Sequence, residues 1–324
     1  MERFLVVTGA LLGALAGSTM GFEPPTSGER LRAIGPTQAL PESLRRALEP
    51  GDDFEPVPRP QPQDWLAVHP EGGQSFDDFV RSEPNHPDAI RGKIYLLPLG
   101  PFPKDQSPSL EMLNECARAY FAMPVETLSP IDVKNANLTA RTNPLTGNRQ
   151  LLTGDILATL KKRLPPDAFC LLGITMEDLY PEPSWNFVFG QASLRERVGV
   201  YSFARYAPAF YAGQRGSDDA RILLRRSCKV LVHETAHMFG LQHCIFFKCV
   251  LNGSNHLAES DARPLHLCPV CLRKLQHSVG FAIADRYAAL ARFYRQVGFD
   301  DEARWVQKRL QQVRGEARSR PEGP

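Results

Sequence analysis

The sequence predicts an α/β lobe, strands alternating with helices, followed by a mostly helical C-terminal region. Three observations carry that expectation. Strand-like segments alternate with segments of helical spacing between Lys93 and Phe203. Ala168 to Thr175 is a continuous apolar run, the pattern of a strand buried on both faces. A long helical segment then opens at Asp218-Asp219 and ends near Gly240, and helical spacing returns from Val279 to Tyr294 and from Asp301 to Val313.

The elements follow in order. Phe4 to Ala16 is an apolar run in which Ala14-Leu15-Ala16 has the form of a cleavage site, as in a secretory signal. Its leading residues Met1-Glu2-Arg3 carry no net side-chain charge, so a buried or amphipathic N-terminal helix is the competing reading. Nine prolines lie between Pro24 and Pro62, in a stretch with little hydrophobic periodicity, which reads as a loosely ordered arm. Lys93 to Leu99 reads as the first strand. Ser109 to Met123 is a helix with Leu110, Leu113, Cys116 and Tyr120 on one face, and Thr153 to Leu164 is another. Phe187 to Phe189 and Val198 to Phe203 are strands. The acidic pair Asp218-Asp219 suits the positive end of a helix dipole. The tail from Gly315 to Pro324 reads as disordered. The expected organisation is an N-terminal arm over 1–62, a domain over 63–314 divided at 243/244 into two lobes, and a tail over 315–324.

Composition bounds the function. The chain has 324 residues, 43% of them apolar, so a substantial core is available. A net charge of +2 gives no support to a nucleic-acid partner, and the basic stretch Arg304 to Arg320 reads as a solvated face and tail. No segment reaches the ~18 unbroken apolar residues of a membrane span. Seven cysteines, an odd number, do not make a complete disulfide framework. Three of them, Cys116, Cys170 and Cys228, are scattered through apolar surroundings as buried thiols are. That pattern fits a reducing compartment, so a cytoplasmic monomer is expected, with secretion the alternative offered by residues 4–16.

One segment carries chemistry: His233-Glu234-Thr235-Ala236-His237-Met238-Phe239-Gly240-Leu241-Gln242-His243. Positions i and i+4 of a helix share a face, so His233 and His237 can grip one metal ion. Gly240 can take the left-handed conformation that ends a helix, and the chain then turns to bring His243 back. Three neutral imidazoles leave a fourth position open, which is the arrangement of a catalytic zinc. Zinc lowers the pKa of its water toward ~7. Glu234, beside the ligands, would accept that proton as the water attacks a peptide carbonyl and would deliver it to the leaving amine. The extension through Gly240 and His243 makes the pattern far more specific than two histidines and a glutamate on a polar helix face.

A second cluster follows at once. Cys244, Cys249, Cys268 and Cys271 are spaced C-x4-C-x18-C-x2-C, two close pairs separated by a loop. That is the layout of a four-cysteine zinc site, in which every position is filled and the role is structural. Two disulfides or four free thiols are the alternatives. Glu259, downstream of the histidines, is a competing third ligand, less economical because His243 already completes the set. His256 and His266 read as surface or packing residues, and Tyr201, Tyr206 and Tyr211 as packing residues, with oxyanion stabilisation the other possibility for the tyrosines.

The histidine motif running straight into Cys244 and the four-cysteine set resembles the archaemetzincins. The resemblance extends to Trp65, to the stretch around Asp167 to Asp178, to Trp185 to Ser193, to Ser202 to Tyr206, and to Gly253 to Leu257. It covers roughly Trp65 to Tyr294. It implies a metzincin-like fold: a twisted mixed sheet above the catalytic helix, with a smaller lobe below the cleft. It also implies a three-histidine catalytic zinc, a four-cysteine structural zinc and metallopeptidase activity on peptides or proteins. The family has Met two residues after the second cysteine, whereas this chain has Leu251. Volume-conserving swaps of that kind cost under ~1.5 kcal/mol, so the site is expected to survive. The competing reading is a zinc-stabilised peptide- or protein-binding protein with weak or lost catalysis.

Overall fold

The structure, a computed structural model, describes residues 4–8, 21–207, 210, 216 and 218–315. The part of the N-terminal apolar run beyond Thr8, Tyr211, and the tail after Gly315 lie outside the described residues.

The chain begins with β1 (Phe4–Thr8) and four short helices, α1 (Ser27–Ile34), α2 (Glu42–Leu48), α3 (Trp65–Val68) and α4 (Phe76–Arg81). The central part is β2 (Lys93–Leu99), α5 (Leu110–Phe121), β3 (Val125–Thr127), β4 (Ala140–Thr142), β5 (Arg149–Leu152), α6 (Thr153–Arg163), β6 (Ala168–Thr175), β7 (Asp178–Tyr180), β8 (Val188–Ser193) and β9 (Val198–Ser202). The long helix α7 (Asp219–Met238) follows, and α8 (Leu257–Ala262), α9 (Pro269–Val279), α10 (Ile283–Gln296) and α11 (Asp300–Arg314) complete the chain.

The strands form one mixed sheet in the order β3-β2-β6-β9-β8-β7-β5-β4, with β1 antiparallel to β8. β3, β2, β6 and β9 are parallel, and β8 reverses against β9. Strand periodicity explains why β6 reads as a continuous apolar run. Side chains alternate between two faces, and both faces are covered. Ile94 and Leu96 of β2 and Cys170, Leu172 and Ile174 of β6 join the main core with Leu113 of α5 and Leu231 of α7. Tyr95, Leu97 and Leu99 of β2 and Leu171 of β6 face the other way, onto Ile156, Leu157 and Leu160 of α6. The helix carrying the histidine motif is therefore packed under a mixed sheet, as the family resemblance implies, and α8 to α11 form the helical region that follows.

The arm differs from expectation. Residues 21–62 are not loose: α1 and α2 bury Ala33, Ile34, Leu44, Ala47 and Leu48 in the main core. Thr26 and Glu29 form a reciprocal capping box at the start of α1. Asp53 pairs with Lys308 and Arg309 of α11, and Arg309 also donates to the Ala47 carbonyl at 2.8 Å. The helices are only eight and seven residues long, too short for a clear period, and prolines flank both. Phe4–Thr8 is a strand, consistent with its run of β-branched residues, where a helix was one of the two expectations. Among the described residues no helix is long and apolar enough to cross a membrane.

Candidate active site

α7 is amphipathic in its first half and buried in its second. From Ser227 to Met238 every residue is buried, so the polar His233, Glu234 and His237 are held inside the protein. His233 and His237 lie one turn apart, with their Nε2 atoms 3.0 Å from each other. The opposite nitrogen of each ring is engaged. His233 Nδ1–H donates to the Val250 carbonyl at 2.8 Å, and His237 Nδ1–H donates to the Leu241 carbonyl at 2.5 Å. A carbonyl can only accept, so each ring carries its proton on Nδ1 and leaves the Nε2 lone pair free.

Gly240 ends the helix with φ +81°, and its N–H donates to the His237 carbonyl at 2.8 Å. A side chain there would be strained. The reversal brings the His243 ring to 5.3 Å from His233 and 5.2 Å from His237, between centroids. His243 Nδ1–H donates to Glu71 Oε1 at 2.8 Å, so its Nε2 is again the free atom. One ligand nitrogen from each of the three histidines lies within 4.8 Å of the others.

The electrostatics suit a metal. Burial depresses the pKa of His233 well below the ordinary imidazole value and that of His237 to about 3, so both stay neutral. Neutral imidazole is the form that binds metal. Burial pushes the Glu234 carboxyl up to about 8, with the Arg263 guanidinium pulling the other way. His243 Nε2 and Glu234 Oε1 are both buried without a hydrogen-bond partner. A desolvated, unpartnered acceptor costs ~1–3 kcal/mol, more when charged. A divalent cation between the three nitrogens would satisfy the first directly and would favour the ionised form of the second. The donor set, three imidazoles each held by Nδ1 on the far side, fits zinc.

The four cysteines also converge. Their sulfurs lie within 4.8 Å of one another, all are buried, and Cys244 and Cys268 Sγ are 3.5 Å apart. That is far beyond a disulfide bond of ~2.05 Å. It is close to the ~3.8 Å separating sulfurs on a tetrahedral zinc with bonds of ~2.3 Å. Burial pushes the Cys244 thiol up, but hydrogen bonds from Cys249, Cys268 and Cys271 outweigh it and hold Cys244 well below the usual thiol range. The Cys268 amide donates to Cys249 Sγ at 3.4 Å. Asn252 ties the loop: its Nδ2 donates to the Cys244 and Phe247 carbonyls, and its Oδ1 accepts from the Cys249 amide. The two clusters share backbone, since Cys244 follows His243 and Val250 follows Cys249. Leu251 is fully buried, and its carbonyl accepts from the Cys244 amide at 2.9 Å.

The other candidates fall into structural roles. Glu259 is not brought to the histidines. Its Oε1 accepts from the Trp65 amide at 2.9 Å and its Oε2 from the Asn255 amide at 2.7 Å. His256 caps α8, accepting from the Glu259 amide on Nδ1, which leaves Nε2–H to donate to Asp64. Asp64, His256 and Glu259 form a third group of ligand atoms, yet these bonds already engage it. His266 is stacked on Trp305 with centroids 3.7 Å apart. Tyr201 is fully buried and Tyr206 stacks on Phe189. Glu71, Gln74 and Trp65 reach the site from a region where the sequence gives no sign of a metal-site role: the Trp65 indole lies edge-on to His243 at 5.0 Å. Burial pushes the Glu71 carboxyl up, but its hydrogen bond from His243 helps bring it below the usual Glu value.

Residues 141–277 match Peptidase family M54. The chain is 42% identical over 289 residues to Archaemetzincin-2 of Macaca fascicularis, across 80% of this chain and 79% of that protein. The chain belongs to the archaemetzincin family. As an archaemetzincin it is a zinc metallopeptidase. It is also 35% identical over 260 residues to Archaemetzincin-1 of Mus musculus, spanning 70% of this chain and 51% of that one. A solved archaemetzincin from Methanopyrus kandleri is 29% identical, with a TM-score of 0.45, covering 59% of this chain and 97% of its own. The span 141–277 matched by Peptidase family M54 holds Glu234, the three histidines and the four cysteines, whereas Trp65, Glu71 and Gln74 lie before it.

Proposed function

We propose that the chain hydrolyses peptide bonds with Glu234 as general base, at a zinc held by Nε2 of His233, His237 and His243. A second zinc, on Cys244, Cys249, Cys268 and Cys271, has a structural role. A zinc on the three histidines would supply Lewis-acid chemistry, lowering the pKa of a water and stabilising charge on the carbonyl oxygen. The protein's own residues do the rest. Glu234 takes a proton from the attacking water on its unpartnered Oε1 and gives it to the nitrogen of the leaving amine as the C–N bond breaks. Burial keeps His233 and His237 neutral, and the acceptors on Nδ1, Val250, Leu241 and Glu71, hold the three rings in place with Nε2 turned to the site. No side-chain nucleophile is needed.

The observation that carries this reading is the placement of a buried, unpartnered carboxylate oxygen one residue from the first of three converging imidazole nitrogens. A purely structural metal site has no use for that group. The test is an unbiased peptide-library digest by the wild type, by the wild type with a chelator, and by Glu234→Ala. Cleavage should vanish with the chelator and fall by at least roughly 10²–10⁴-fold in the variant, with folding and metal content retained. Normal turnover by Glu234→Ala would rule out the mechanism. Failure of the zinc-replete wild type to cut any peptide would favour a binding protein instead.

A further inference from the structure

The three histidines are not held alike. His233 and His237 sit on a rigid helix, and each gives its Nδ1 proton to a nearby backbone carbonyl. His243 stands on a non-helical turn and has no such carbonyl. Its Nδ1 partner is the side chain of Glu71, 172 residues earlier in the chain. The same oxygen of Glu71 accepts from the Trp65 indole N–H at 2.7 Å, which fixes the carboxylate in turn.

Three residues further on, Gln74 holds the turn itself. It is 4% exposed. Its Nε2 donates to the Gly240 carbonyl at 3.2 Å, and its Oε1 accepts from the Gln242 amide at 3.2 Å. One side-chain amide therefore bridges the peptide groups that link His237 to His243. The buried ammonium of Lys274, on α9, donates to both the backbone and the side-chain oxygen of Gln74 and locks its orientation.

We propose that the segment from Glu71 to Gln74 is a strap that sets the third ligand, with Glu71 as the positioning residue for His243. An imidazole on a loop can rotate about two bonds and can carry its proton on either nitrogen. A carboxylate accepting from Nδ1–H removes both freedoms. It selects the tautomer whose Nε2 is available, aims that atom at the other two, and makes it more basic. Gln74 fixes the backbone from which His243 projects. The role rests on His233, His237 and His243 being a metal site. Glu71 and Gln74 precede the 141–277 match, and the groups they hold lie within it.

The test compares full-length, zinc-replete wild type with Glu71→Gln, Glu71→Ala and Trp65→Phe. Zinc affinity of each site is read by competition with a chromophoric chelator, and geometry by the visible spectrum of the cobalt(II)-substituted protein. Glu71→Ala should weaken the histidine site by roughly 10–100-fold and change the cobalt ligand-field bands, with the four-cysteine site unaltered. Glu71→Gln, isosteric and still able to accept, should fold normally and lose less. Trp65→Phe removes the indole donor that fixes Glu71 together with some packing, and should lower histidine-site affinity by less than Glu71→Ala does. A wild-type protein with two metals whose histidine-site affinity and cobalt bands are unmoved by both Glu71 variants would overturn the proposal alone. A wild type that binds no metal at the histidines would overturn the metal-site reading and the strap together.

Discussion

His233 Nδ1–H donates to the carbonyl oxygen of Val250 at 2.8 Å, and Val250 lies between Cys249 and Leu251. The four-cysteine loop thus supplies a partner that orients a ligand of the histidine cluster. Its other end is joined to that cluster as well, because Cys244 is the residue after His243. Loss of the zinc proposed on the four cysteines should therefore be felt at the other site. Cys271→Ala, on α9 and away from this carbonyl, is expected to lower zinc content by more than one ion per chain. Histidine-site affinity should drop by about 10-fold or more, the usual scale for loss of such an orienting partner. Metal analysis with chelator competition checks this. One zinc retained at wild-type affinity would show that the two sites are independent.

The legible part of this protein is the part whose contacts are local in sequence. His233 and His237 are related by one helical turn, Gly240 supplies the reversal to His243, and Cys244 and Cys249 close a short loop. Spacing alone can place such residues together. β6 was equally clear, because a strand buried on both faces leaves eight buried residues in a row, all apolar but Gly173 and Thr175. Glu71 and Gln74 were invisible for the opposite reason: their partners lie 172 and 166 residues away, and single polar residues in an irregular segment have no period to betray them. β3, β4 and β7 have three residues each, too few to show alternation. In the arm, proline marks helix boundaries as well as irregular chain, and composition does not separate the two: Pro41 sits at the N-cap of α2.

Leu251 occupies the turn where the family carries methionine. It is fully buried, and the turn around it meets both clusters through Val250 and Cys244. Leu251→Met should be close to neutral, under ~1.5 kcal/mol, with both metals retained, since the two side chains have similar volume. Leu251→Ala should cost about 2–5 kcal/mol, because the cavity opens in a core that cannot fully collapse. Denaturant melts of the zinc-replete proteins measure both. A large loss in Leu251→Met would show that the position is set by shape and not by volume.

Gly253 lies against Trp65 so closely that an added Cβ would stand 2.3 Å from the indole Cδ1. Gly253→Ala must push the indole away or shift the backbone two residues after Leu251. Overpacking of this kind costs about 1–3 kcal/mol. Displacement of Trp65 would also remove its hydrogen bond to Glu71 and its edge contact with His243. The variant should melt earlier and show altered tryptophan fluorescence. Unchanged stability would mean that α3 accommodates the methyl group by a small rigid shift.

Arg205 and Asp178 form an ion pair with side chains 6% and 0% exposed. Both guanidinium contacts are 2.8 Å, from Nε to Oδ1 and from Nη2 to Oδ2, and the guanidinium carbon lies 3.4 Å from the centroid of Phe187. Gln150 donates to the same carboxylate, so Asp178 holds β5, β7 and the chain after β9 together. Removing the arginine leaves a buried carboxylate without its cation, and Arg205→Ala should destabilise the fold by about 3–5 kcal/mol. Arg205→Lys should recover little of this, because an ammonium cannot bind both oxygens in the plane or stack on Phe187 in the same way. Adding Asp178→Leu to Arg205→Met should cost much less than the sum of the single changes, because the penalty comes from the unpaired charge and an apolar pair carries none. A double-mutant cycle by urea denaturation measures that coupling. Additive losses would show that each residue acts through its own packing and not through the other.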